Sequence, residues 1–125
     1  MARTYSLGKK QLIHGYQNFR RVTEQGKKHV GVYSVLYALR IKCGTRVGVV
    51  AGKHIGSAVE RNRAKRLLRE VVRLNRARIA DGCEIVLIAR KAAVRNTLQD
   101  KILDTMKLLE KAGCACASQE RQSNL

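Results

Sequence analysis

The chain has 125 residues, with 26 Lys and Arg against 9 Asp and Glu, a formal net charge of +17 and a pI near 10.5. That is the length of one domain with a modest core, and the charge is the footprint of a polyanion binder. It speaks against a membrane protein: the longest apolar run, Ile85 to Ala89, is too short to span a bilayer, and the basic N-terminus has no apolar stretch for a secretory signal. The expected location is the cytoplasm.

Taken in order, residues 1–15 are basic without clear periodicity and read as an arm. Residues 16–25 read as a short helix with Tyr16, Phe19 and Val22 on one side and Gly26 as its stop. Residues 30–42 alternate, with Tyr33, Val35, Tyr37, Leu39 and Ile41 on one face, which predicts one long strand. Residues 46–53 predict a second strand, apolar on both faces and so expected at the centre of the sheet.

Residues 56–78 predict the long helix around which the chain is organised. Ser57 with Glu60 three positions later forms a capping box. At 100° per residue, Ala64, Leu67, Leu68, Val71, Val72 and Leu74 fall on one side. Asn62, Arg63, Lys65, Arg66, Arg69, Arg73 and Arg76 fall on the other, interrupted by a single acid, Glu70. A solvated helix face mixes signs so that neighbours attract. This one repels itself unless a polyanion is present, and its guanidinium forks suit phosphate. A membrane-surface helix would carry bulky aromatics on its apolar side, and this one has only Leu, Val and Ala there.

Ala80-Asp81-Gly82 marks a turn, and residues 84–90 a third, buried strand. Asn96 can cap a last helix whose Leu98, Ile102, Met106 and Leu109 recur at core spacing, with Gly113 as its end. The order of these elements thus predicts one α+β domain over residues 1–113, a small sheet covered by helices, followed by a disordered tail, 114–125.

Catalytic patterns are weak. Gly48 to His54 is one residue too short for a Walker A loop and has His54 where a magnesium-holding hydroxyl belongs. His14, His29 and His54 have no carboxylate or nucleophile at a recognisable spacing. Asp100 and Asp104 stand one helical turn apart and could face a hydrated magnesium ion, although an exposed helix face explains them more simply. Cys43, Cys83, Cys114 and Cys116 fit neither a disulfide framework nor a zinc pattern and read as free thiols. All five aromatics lie at or before Tyr37, where they can serve the core or stack on unpaired bases.

The run Ala58-Val59-Glu60-Arg61-Asn62-Arg63-Ala64-Lys65-Arg66-Leu67-Leu68-Arg69 resembles the Arg-Asn-Arg-x-Lys-Arg-x-x-Arg signature of the bacterial ribonuclease P protein subunit. Asn18-Phe19 with Val22 and Gly26-Lys27, then Val35-Leu36-Tyr37, Arg46-Val47-Gly48 and Ile85 to Arg90 are similar to that family's first helix and three strands, in the same order. The resemblance implies a two-layer α+β sandwich, a small mixed sheet with helices, and a left-handed βαβ crossover through the long helix. It also implies the protein subunit of a ribonucleoprotein that removes the 5′ leader from precursor tRNA, with catalysis by the RNA subunit and its magnesium and no catalytic side chain from the protein. No obligatory protein partner is implied.

By the same resemblance, Arg61, Asn62, Arg63, Lys65, Arg66, Arg69 and Arg73 would contact the RNA subunit. Phe19 and Tyr37 would line the cleft for the single-stranded leader, with Lys53 and Arg90 adding phosphate contacts. The sequence departs from the family where a second aromatic is common (Thr23), where Ser-Lys-Lys usually ends the second strand (Gly52-Lys53-His54), and where Asp is common (Glu84). The rival readings are a ribosomal RNA-binding protein, which would lack the basic signature, and a DNA-binding domain, which would need a dimer interface or a second reading element.

Overall fold

The computed structural model describes residues 13, 15–42, 44–95 and 97–115. The helices are α1 (Tyr16–Gln25), α2 (Ala58–Leu74) and α3 (Leu98–Lys111), and the strands are β1 (Lys27–Val30), β2 (Ser34–Arg40), β3 (Thr45–Val50) and β4 (Cys83–Ala89). The sheet order is β1-β2-β4-β3, antiparallel except for the parallel β3–β4 pair, which α2 connects. The α+β class and the mixed sheet are as the sequence led us to expect.

Alternation along β4 explains how the layers divide. Ile85, Leu87 and Ala89 join Leu36, Val47 and Val49 beneath Ala64, Leu68 and Val72 of α2 and Met106, Leu108 and Leu109 of α3. Val86 and Ile88 face the opposite way and pack with Ile13, Phe19, Val22, Tyr37, Leu39 and Val50 under α1. The sheet and the α2–α3 pair make the two main layers, and α1 crosses the sheet's other face.

Four expectations are corrected. The long strand predicted over 30–42 is a hairpin. Gly31 closes a turn by donating to Ser34 O at 2.9 Å, and the chain doubles back from β1 to β2. Tyr33 therefore lies in the turn, buried, and not on the Tyr37 face of a strand. The second strand is an edge strand and not the central one. It is apolar on both sides because helices cover both, and its outer edge receives the Ile13 N–H at Val47 O, 3.0 Å. It also stops at Val50, and Lys53 belongs to a 3₁₀ turn (Lys53–Ile55) anchored by buried Ile55. Leu74, expected in the core, is 43% exposed at the end of α2, where the chain enters a second 3₁₀ turn (Arg76–Arg78).

The ends of the helices follow local chemistry. Ser57 and Glu60 form the full capping box: Glu60 N donates to Ser57 Oγ (3.2 Å) and Ser57 N to Glu60 Oε1 (3.1 Å). At the start of α3 the capping position is Thr97, without a side-chain cap bond; Asn96, the expected cap, lies outside the described residues. After α3, Cys114 is buried in the main core and Ala115 bridges Ile79. The rest of the expected tail, like the expected arm before Ile13, lies outside the described residues.

One buried ion pair locks α1 to the sheet. Glu84 on β4 is 1% exposed and accepts from Arg21 of α1 and from Arg46 Nε of β3 at 3.2 Å. Sequence reading noted Glu84 only as a departure and missed both partners, because a charge buried between two distant arginines has no local signature. Glu84→Ala removes the shared acceptor, but both arginines are partly exposed and can turn to water, so the expected cost is about 1–3 kcal/mol. Thermal unfolding should show this as a Tm lower by roughly 5–10 °C.

The cysteines in the described core are free. Cys83 and Cys114 are buried, and burial first, then the hydrogen bond and charge of Cys83, pushes the Cys114 thiol up to about 12. Burial thus keeps this thiol protonated near neutral pH, unlike a reactive cysteine. Mass-mapped alkylation by iodoacetamide at pH 8 should spare Cys83 and Cys114 in the folded protein and modify both in denaturant.

Candidate nucleic-acid interface

The buried seam of α2 (Ala64, Leu68, Val71, Val72) turns the opposite side of the helix to solvent. Asn62, Arg63, Arg66 and Arg69 are exposed there, with Arg61 and Lys65 half-buried at the flanks. The acid that interrupts the stripe is neutralised. Arg73 grips Glu70 in a two-point ion pair, Nε to Oε1 at 2.9 Å and Nη2 to Oε2 at 2.5 Å. The Arg73 hydrogen bonds, chiefly, hold the Glu70 carboxyl below its usual range, so the pair stays ionised at neutral pH. Arg73 is thus engaged within the helix, while Arg63, Arg66 and Arg69 present their charge outward.

The four residues expected in the leader cleft fall into two places. Phe19 and Tyr37, both half-buried, pack against the small cluster between α1 and the sheet. Beside them is a cavity of about 280 Å³ lined by Phe19, Arg20, Thr23, Val50, Val86 and Ile88. Its walls are almost wholly apolar. The Thr23 hydroxyl turns back to donate to Arg20 O at 3.1 Å, and the Arg20 guanidinium pairs with Glu24. Such a site can take the face of an unpaired base without reading its edge.

Arg90 and Lys53 lie beyond the ends of β4 and β3. Arg90 lines a second cavity, about 500 Å³, with Val32, His54, Lys91 and Ala92. His54 is steadied by an Nε2···Ala89 O contact of 3.3 Å. Lys53 is exposed on the adjoining 3₁₀ turn and does not line that cavity. The sequence did not single out Lys91, or His54 as part of a basic pocket. The available signal was the pairing of Lys53-His54 with Arg90-Lys91, two basic pairs just past the ends of strands that prove to be parallel neighbours.

The possible magnesium pair on α3 has another use. Asp104 accepts two backbone N–H groups, Val32 and Tyr33, at 3.0 and 3.1 Å. Among the described residues no group of three or more His, Cys, Asp and Glu is placed to hold a metal ion, and none of their helices is long and apolar enough to cross a membrane.

A single α+β domain with a cationic helix face, an apolar cleft on the other side of its sheet and a basic pocket at the strand ends has the surfaces of an RNA-binding module. Comparison with known proteins fixes which one. The family model described as Ribonuclease P matches residues 7–113. The ribonuclease P protein component of Symbiobacterium thermophilum is 42% identical over 97 residues, 76% of this chain and 84% of that protein. That of Clostridium botulinum (strain Loch Maree) is 36% identical over 107 residues, 84% of this chain and 96% of the relative. Among solved structures, the RNase P protein of Staphylococcus aureus has a TM-score of 0.70 at 26% identity, covering 82% of this chain and 94% of that one. That of Thermotoga maritima has a TM-score of 0.70 at 27% identity, covering 79% and 94%. The chain belongs to the ribonuclease P protein family. Its part is that of the protein component of a tRNA-processing endoribonuclease, and the ribosomal alternative is not favoured.

Proposed function

We propose that this chain binds ribonuclease P RNA along α2 and the 5′ leader of precursor tRNA across the α1 face of the sheet, and so promotes cleavage at the mature 5′ end. The observation that carries this reading is the division of surfaces. Arg63, Arg66 and Arg69 project outward from α2, with Arg61, Asn62 and Lys65 beside them and the one acid tied to Arg73. Phe19 and Tyr37 lie across the sheet with an apolar cavity next to them. A folded RNA offers a dense phosphate surface to the first, and a single strand offers bases to the second.

The protein's contribution is binding and orientation. Cations on α2 neutralise phosphates of the RNA subunit. The ring of Phe19 gives a base a stacking surface, Tyr37 closes the cluster at its edge, and Arg90 and Lys53 hold the leader's phosphates. Holding the leader favours precursor over mature tRNA, because only the precursor has it. Magnesium, carried by the RNA and its substrate, would supply the activated water for hydrolysis, and no side chain of this protein is assigned to that step. With these partners, we infer that the protein acts in the cytoplasm.

Binding measured at one fixed salt concentration tests the assignment of partners, since every such affinity falls steeply with ionic strength. Ribonuclease P RNA is expected to bind much more tightly than duplex DNA or a ribosomal RNA fragment of equal length. Equal affinities would leave only non-specific basicity. Within the RNA complex, Tyr37→Ala is expected to weaken precursor tRNA about 3–10-fold, in the range of a lost stacking contact, and mature tRNA not at all. Equal losses for both would make Tyr37 a core residue only.

A further inference from the structure

The turn between β1 and β2 is tied to two elements far away in sequence. Asp104 on α3 accepts from Val32 N (3.0 Å) and Tyr33 N (3.1 Å). The same turn supplies two carbonyls to Arg90: Tyr33 O accepts the Arg90 backbone N–H at 3.0 Å, and Gly31 O accepts its Nη1 at 2.5 Å. The fit at Gly31 is close. A Cβ there would stand 2.6 Å from Asp104 Oδ2 and 2.8 Å from Leu108 Cδ1. One turn earlier on α3, Lys101 is fully buried, stands 5.1 Å from the centre of the Tyr33 ring and donates to Thr97 Oγ1 at 3.3 Å and to Arg95 O. The inner face of α3 thus grips the turn from both ends.

An arginine on a surface loses much rotamer freedom when it is ordered on a phosphate, and a guanidinium already held in place loses less. Arg90 is exposed, yet it is fixed by the turn at its backbone and at one arm of its fork, where it forms part of the wall of the His54–Lys91 cavity. The turn presents two adjacent N–H groups to α3, and one Asp104 carboxylate oxygen accepts both. We propose that Asp104 is a positioning residue for phosphate binding: it holds the 31–33 turn, whose carbonyls hold the Arg90 guanidinium at the cavity wall. This rests on the reading of Arg90 as a phosphate contact of the leader.

The test is a double-mutant cycle on precursor-tRNA affinity in the complex with ribonuclease P RNA, measured across a salt series. Arg90→Ala is expected to weaken binding about 5-fold and to reduce the salt slope by about one, as for one lost phosphate. Asp104→Ala should weaken it about 3-fold with the same direction of slope, and the double variant should be no weaker than Arg90→Ala alone. Asp104→Asn keeps an acceptor oxygen and should restore affinity. Additive losses in the double variant would overturn the proposal, because Asp104 would then act through stability alone. In the free protein, Asp104→Ala should lower the NMR order parameter of the Arg90 side-chain Nε–H, and an unchanged value would also overturn it. If Asp104→Ala does not fold, Gly31→Ala, which pushes on the same oxygen, is read in the same two assays. Unchanged affinity with Arg90→Ala would refute the phosphate contact itself, and with it the role of Asp104, while the order parameter would still report whether the clamp exists.

Discussion

Replacing Arg63, Arg66 and Arg69 together by alanine is expected to lower affinity for ribonuclease P RNA about 100-fold near physiological salt and to reduce the salt slope by about 2.5–3. The three side chains are exposed on α2, opposite its buried seam, so nothing in the core is lost. Alanine is the best helix former, and removing three like charges relieves repulsion along the stripe. Tm should therefore stay level or rise. That combination separates this prediction from general damage: affinity falls while the fold does not weaken. Lys107→Ala, an exposed cation on α3, is the matched control and should change little. A triple variant whose salt slope is unchanged would mean that these arginines face water in the complex.

The second large effect is expected at Gly48, a residue with no side chain of its own. It is buried in β3, paired in register with Val86, and the Phe19 ring rests where its side chain would be. A Cβ there would lie 2.8 Å from Phe19 Cζ and 3.3 Å from Ile13 Cβ, so the ring must move. Gly48→Val should cost about 1–3 kcal/mol by overpacking. It should also weaken precursor tRNA about 10-fold relative to mature tRNA, since the ring that leaves its seat is the proposed stacking surface. Gly48→Ala with Phe19→Leu provides the separation. The smaller side chain should recover much of the Tm, and leader discrimination should stay low. Recovery of both would show that Phe19 is a packing residue and that the leader binds elsewhere.

How much of this was legible in the sequence follows the range of the interactions. The capping box at Ser57 and Glu60, the seam of α2 and the opposing cations are periodic or local, and were visible. Resemblance then supplied Phe19 and Tyr37 as partners across α1 and β2, which no periodicity places together. What stayed hidden depends on contacts between distant segments. Gly31 sat unremarked inside the alternating run 30–42, but the chain turns there beside Asp104 and splits one strand into two. Apolar character on both faces of residues 46–53 suggested a central strand, whereas helices on both sides of an edge strand produce the same pattern. Asp104 and Lys101 lie on one helix among other charges, and only the fold shows that both turn inward. The clamp on Arg90 joins three segments, and none of the three carries it alone.

The central claim is tested most directly by cleavage of end-labelled precursor tRNA by a bacterial ribonuclease P RNA at low magnesium, with and without this protein. Cleavage at the mature 5′ end that appears only when the protein is present, and that falls with the Arg63, Arg66 and Arg69 triple variant, is the predicted result. No stimulation by folded protein, with the same RNA active alone at high magnesium, would contradict it.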